Sequence, residues 1–314
     1  MRYGFGVDIG GTTVKLAFFE EDGTMVSKWE IPTRTADGGA AIVPDIAAAI
    51  EGNLTAHGLD RGQILGVGVG VPGPVIGDGT VNRCANLGWG VKDLHRELSQ
   101  RTGFPVRVGN DANVAALGEC WKGGGEGVAN MVMVTLGTGV GGGIVVNGKL
   151  IGGVHGAGGE IGHMVLNPAE TAQCGCKKRG CAEQYCSATG VVRLAKLYLS
   201  EHAAESTLRG RDITCKDVFD AAQAGDEAAQ AILEQVYEYL GRLLANICVI
   251  ADPEIIVIGG GVSKAGQPLL DGANKYFQTY AFHACRVTKI VPARLGNDAG
   301  AYGAFKLILD AIRS

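Results

Sequence analysis

The chain has 314 residues, 46% hydrophobic and 19% charged, with 28 Lys and Arg against 32 Asp and Glu and a net charge of −4. That length suits two domains or one large one, and the absence of a basic excess argues against nucleic acid and against a membrane surface as partner. The longest apolar region, 243–258, is broken by Asp252, Pro253 and Glu254 and does not span a bilayer. No signal peptide is read ahead of the first strand, and nine cysteines without an export signal predict a cytoplasmic chain with reduced thiols, some free for metal.

Residues 3–9 read as a buried strand, Gly10-Gly11-Thr12-Thr13 as a tight turn and 14–19 as a second strand. Asp22-Gly23 is a hairpin signal leading into a third strand, 24–31. A helix is expected from near Pro44 to His57, stopped by Gly58, and a strand over 64–71, ending at Pro72-Gly73-Pro74. A loop carries Asn86-Leu87-Gly88-Trp89, and 91–102 is expected to be a helix. Val106 and Val108 alternate with polar neighbours in a short strand that ends at Asn110-Asp111, where a helix over 112–121 begins. Three meandering strands followed by alternating helix and strand predict an α/β domain with a mixed sheet.

The opening then repeats. Residues 131–135 read as a strand, Gly137-Thr138-Gly139 as a turn, 140–146 as a strand, Asn147-Gly148 as a hairpin turn and 149–151 as the start of a third strand. The repeated order predicts a duplicated α/β unit. Residues 152–190 read as an irregular insert, 191–250 as mostly helical, 254–258 as a strand running into Gly259-Gly260-Gly261, and 299–312 as a last helix.

Chemistry concentrates in the turns. In Asp8-Ile9-Gly10-Gly11-Thr12-Thr13, glycines let backbone N–H groups approach phosphate oxygens, Thr hydroxyls add donors, and Asp8 can hold magnesium through water. Gly137-Thr138-Gly139 stands at the matching place in the second unit, so the two turns together suit one polyphosphate. Gly259, Gly260 and Gly261 either let an adenine ring lie against backbone or form only a tight strand–helix junction. Asp111, at a helix start where the dipole favours the ionised form, is either an N-cap or the base that takes a proton from an acceptor hydroxyl. Asn110, Asn86, Glu160, His163 and Glu183 are the residue types that bind sugar hydroxyls, and they lie in loops. Cys174, Cys176 and Cys181, three cysteines within eight residues, suit one tetrahedral zinc, with His163 or Cys186 as fourth ligand.

These motifs resemble the ROK family of sugar kinases, and within it the bacterial glucokinase branch. The likeness runs over essentially the whole chain and rests on Asp8-Ile9-Gly10-Gly11-Thr12, Asn110-Asp111-Ala112-Asn113, Leu136-Gly137-Thr138-Gly139-Val140, Glu160-Ile161-Gly162-His163 and Cys174-x-Cys176-x4-Cys181-x-Glu183. The resemblance implies two actin-like, hexokinase-like (ribonuclease H-like) α/β domains with an interdomain cleft and a zinc-binding loop insert. The small domain would be 1–111, with the last helix, 300–314, returning to it; the large domain would be 112–299, with the zinc loop at 163–181. It implies ATP-dependent phosphorylation of a hexose, glucose at its 6-hydroxyl, with mannose, fructose, allose or N-acetylmannosamine as rival acceptors and polyphosphate as a rival donor.

By the same resemblance Asp111 is the general base, and Asn110, Glu160, His163 and Glu183 hold the sugar, joined by Gly73 and Asn86. Thr12 and Thr138 contact phosphates, Asp8 assists Mg2+, and Gly259 to Gly261 lie near the adenosine. Cys174, Cys176, Cys181 and His163 bind a structural Zn2+. A homodimer or homotetramer is expected. Lys177 stands where family loops commonly carry Gly after the second cysteine, which implies a small change of loop shape with the ligands kept. The rival class is a sugar-sensing repressor; such relatives carry a helix-turn-helix ahead of the first phosphate turn, whereas seven residues precede Asp8 here.

Overall fold

The computed structural model describes residues 1–77 and 79–313. Apolar runs punctuated by glycine build the first meander: β1 (Tyr3–Ile9), β2 (Thr13–Glu20) and β3 (Met25–Pro32). In β3 half-buried and exposed residues alternate strictly, as an edge strand covered on one face requires. β4 (Ile64–Val71) is buried at every position and β8 (Val106–Asn110) at most, and they extend the sheet in the order β3-β2-β1-β4-β8. β1, β4 and β8 run parallel, with Asp8 opposite Gly70 and Gly70 opposite Gly109, so their C-terminal ends share one edge. A single turn α1 (Ala36–Gly39), then α2 (Ile42–His57), α3 (Leu94–Thr102) and α4 (Asp111–Lys122) complete this part.

One stretch departs from the sequence reading. Residues 89–93 form a strand, β7 (Trp89–Asp93), which pairs with β6 (Thr80–Cys84), itself paired with β5 (Val75–Ile76). The expected helix over 91–102 therefore begins only at Leu94. Asp93 sets that start, because its side chain accepts from the Arg96 N–H and caps α3. Strands of two to five residues carry too few alternations to be read from sequence.

The chain divides into two compact units. The first comprises Met1–Ala129, Gly143–Gly159 and the segment from Arg294 on. Its last helix, α10 (Ala299–Arg313), packs on β1, β4 and α4. The Phe305 ring stacks on Phe19 with centroids 4.9 Å apart and planes 2° from parallel, over buried Ala301, Ile308 and Leu309. Burying Phe305 alone is worth roughly 2–3 kcal/mol. Ser314, the end of the expected helix 300–314, lies outside the described residues.

The second unit comprises Asn130–Gly142 and Glu160–Ala293. The second five-stranded sheet repeats the order of the first: β11 (Lys149–Leu150), β10 (Val140–Val146), β9 (Met131–Leu136), β12 (Ile255–Gly259), β13 (Lys289–Pro292). β9, β12 and β13 are parallel, with Ile255 opposite both Met131 and Lys289. The short α5 (Glu183–Cys186) is followed by α6 (Ala188–Glu201), α7 (Cys215–Gln223), the 25-residue α8 (Glu227–Ala251) and α9 (Gln267–Tyr280). α8 turns Ile232, Val236, Leu240, Leu243 and Ile247 inward at helical spacing. Among the described residues no helix is long and apolar enough to cross a membrane.

Candidate active site

In the first unit, Asp8 is the last residue but one of β1 and Asp111 opens α4, on the shared C-terminal edge of the parallel strands, where α/β sheets place their ligands. Gly70 lies beside both: a Cβ there would clash with Val114 Cγ2 at 2.6 Å and stand 3.7 Å from Asp8 Oδ1 and 3.8 Å from the Asp111 Cα. Asp8 also sits on the N-terminus of α10, 2.6 Å from where a Cβ on Gly300 would stand. Burial pushes the Asp8 carboxyl up to about 6; the Lys15 ammonium pulls it down in part and the Asp111 charge adds to the rise.

Asp111 is not the N-cap of its helix. Asn110 takes that role, with its side-chain oxygen 3.1 Å from the Asn113 N–H, while Asp111 Oδ1 accepts from its neighbour Ala112 N–H at 2.8 Å. The Asn110 amide also donates to the Gly73 carbonyl at 3.1 Å. An amide has two N–H groups and two carbonyl lone pairs, so one of each is left to meet a ligand. Asn86 is exposed, in a 3-10 turn over Ala85–Leu87. Its backbone and that of Leu87 hydrogen-bond the Cys84 thiol, which burial pushes up and Asp111 raises further. Asn86 and Gly73 thus share a neighbourhood with Asp111.

The first glycine turn is closed by Gly10 N–H to Thr13 O at 3.0 Å and anchored by the Thr33 hydroxyl on Gly10 O at 2.7 Å. Its tip, Gly11 and Thr12, is exposed. In the second unit the matching turn is closed by Gly137 N–H to Gly139 O at 2.9 Å, and Thr138 at its tip is exposed. Gly259 and Gly260 pack under this unit's sheet edge, where a Cβ at 260 would stand 2.5 Å from Leu136 O. Gly261 lines a cavity of about 320 Å³ with Ala188, Cys215, Phe219, Val262 and Lys264. Cys215 and Phe219 carry no sequence motif, and the packing of α7 brings them there.

Also in the second unit, Glu160, exposed, and His163 lie at either end of a 3-10 turn, with Glu160 Oε2 3.9 Å from His163 Nε2. The other ring nitrogen, Nδ1, is 3.8 Å from Cys174 Sγ, and Cys176 Sγ is 3.6 Å from Cys181 Sγ. One ligand atom from each of His163, Cys174, Cys176 and Cys181 falls within 4.8 Å of all the others. Cys186 is fully buried and is not one of the group. Glu183 reaches the second glycine turn, its Oε2 accepting from Val140 N–H at 3.1 Å. The structure therefore gathers Asp8, Asp111, Asn110 and Gly73 in one unit and Thr138, Glu160, His163, Glu183 and the cysteines in the other.

A duplicated α/β sheet with acids at its parallel-strand edge and a Cys3His loop defines the class: the chain belongs to the ROK family, whose model matches residues 4–311. Among curated proteins it is 45% identical to a glucokinase of Halalkalibacterium halodurans, over 98% of this chain and 95% of that one. Among solved structures it is similar to a ROK hexokinase from Thermus thermophilus (31% identity, TM-score 0.84, 98% and 99% of the two chains). A ROK family glucokinase from Streptomyces griseus, in complex with glucose and AMPPNP, is also similar (34% identity, TM-score 0.75, 97% and 98%).

Proposed function

We propose that this chain is an ATP-dependent sugar kinase that transfers the γ-phosphoryl group of ATP to the 6-hydroxyl of glucose. The observation that carries the reading is the Asp8–Asp111 pair at the parallel-strand edge, with Asn110 taking over the helix cap. In this reading Asp111 takes the proton of the acceptor hydroxyl as its oxygen attacks phosphorus. Asn110, Asn86 and the Gly73 backbone orient the sugar in the first unit; Glu160, His163 and Glu183 do so in the second. The turns at Gly10, Gly11, Thr12 and Thr13 and at Gly137, Thr138 and Gly139 supply donors to phosphate oxygens. The cavity beside Gly261 suits an adenine ring, with Phe219 and Val262 as apolar walls. Magnesium, held near Asp8 through water, would neutralise charge on the transferring phosphate.

The four cluster residues fit zinc. With Zn–S near 2.3 Å, a tetrahedral site separates its ligand atoms by roughly 3.8 Å. The 3.6 Å between Cys176 and Cys181 and the 3.8 Å between Cys174 and His163 agree with that edge. Such a set is closed, so zinc would hold the loop and leave no open position for chemistry. With Nδ1 on the cluster side, His163 Nε2 carries the proton and can donate to a sugar hydroxyl. The test is a coupled assay of ADP release over a panel of hexoses. Release that depends on glucose and exceeds that with mannose, fructose, allose and N-acetylmannosamine supports the reading; no release with any hexose overturns it.

A further inference from the structure

Three elements converge on the second glycine turn. Glu183 Oε2 accepts the Val140 N–H at 3.1 Å, and its carboxylate fills the space over Gly139, where a Cβ would stand 2.1 Å from that oxygen. From another side Gly162, inside the 160–163 turn, packs on the Val140 carbonyl, which a Cβ at 162 would approach to 2.1 Å. From the N-terminus of α6, Ala188 N–H donates to Gly137 O and the Thr189 hydroxyl to Thr138 O, both at 2.8 Å. Glu183 stands two residues after Cys181, and its Oε1 lies 3.5 Å from Cys174 Sγ, so the cysteine cluster fixes the base of this strut.

We propose that Glu183, beyond any sugar contact, is a positioning residue for the phosphate turn 137–139, bracing it through the Val140 N–H and the space over Gly139. The inference rests on the kinase reading, because it assigns the turn to the nucleotide. A turn with two glycines in three residues is otherwise free to leave its binding shape, and ordering it at the moment of binding would cost affinity. A braced turn presents its N–H groups in place beforehand. The steric fit also explains why residue 139 must be glycine: any side chain competes with Glu183 for the same volume.

Glu183→Ala, Glu183→Gln, Gly139→Ala and the Gly139→Ala/Glu183→Ala double variant test this on the full chain. Calorimetric titration measures AMP-PNP and glucose separately, and hydrogen exchange reads the backbone of 136–141 without any ligand. Glu183→Ala is expected to weaken AMP-PNP by about tenfold and to speed exchange of the turn, since one buried N–H loses its acceptor. Glu183→Gln keeps an acceptor for Val140 and is expected to restore AMP-PNP affinity to within about threefold while glucose stays weakened. Gly139→Ala is expected to weaken AMP-PNP in the native background and to cost less in the Glu183→Ala background, where the clash is relieved. Unchanged exchange of the turn in Glu183→Ala, or additive effects in the double variant, would overturn the proposal. The exchange arm reads the brace even if the native chain binds no nucleotide, an outcome that would sink the kinase reading instead.

Discussion

Replacing Asp8 by Asn should make the protein more stable and less active, and the size of the gain follows from its surroundings. The carboxyl is largely buried, beside Asp111 and only partly compensated by Lys15, and its pKa stands at about 6 against an ordinary 3.8. The folded state therefore holds the Asp8 proton more tightly than the unfolded chain does. Above pH 6 both states are ionised and the folded state bears the full cost of the buried charge. At 1.36 kcal/mol per pH unit, the difference corresponds to about 3 kcal/mol. As pH falls from 6 to 4 the cost disappears, and below 4 it is absent. Asp8→Asn keeps the shape without the charge, so it should gain up to about 3 kcal/mol at pH 8 and almost nothing at pH 4. Thermal unfolding of both proteins without nucleotide or magnesium, at half-unit steps from pH 4 to pH 8, measures this. For a unit of this size the gain corresponds to a rise of roughly 6–12 °C at pH 8. A variant no more stable at pH 8, or one whose advantage persists undiminished at pH 4, would refute the reasoning. If Asp8 holds magnesium as proposed, the free protein should bind the cation more weakly as pH drops through about 6, where Asp8 takes up its proton; magnesium titration at pH 5 and pH 8 checks this.

Asp111→Asn should lower kcat by about a hundred to ten thousand fold with glucose affinity little changed, as expected for loss of a general base; steady-state kinetics and glucose titration decide it. Elemental analysis should find about one zinc per chain, and Cys176→Ser should lose it together with thermal stability, a metal-free native protein being the contrary result. Glu119 is fully buried in α4 and receives the N–H groups of Gly124, Arg294 and Leu295. Glu119→Ala strands those donors at about 1–3 kcal/mol each, so denaturant unfolding should show a loss of at least about 3 kcal/mol, part of which Glu119→Gln recovers.

Local patterns carried much of this protein. The strand over 64–71, the two glycine-threonine turns, the helix opening at Asp111 and the Cys174, Cys176, Cys181 spacing are all legible in the chain, because each depends on residues within a few positions of one another. The repeated strand-turn-strand opening likewise announced two sheets of one design, and both have the same strand order. The misplaced helix start at 91 came from strands too short to declare a period. What neighbours in sequence could not decide was settled by elements meeting in space. Which residue caps α4 depends on Asn110 reaching both Asn113 and Gly73. His163, and not Cys186, joins the cysteines because its turn folds back on their loop while Cys186 is turned into the core. The raised Asp8 carboxyl and the approach of Glu183 to Gly139 have no sequence signal, because burial and charge proximity are properties of distance, and distances between remote segments exist only once the sheets and helices have packed.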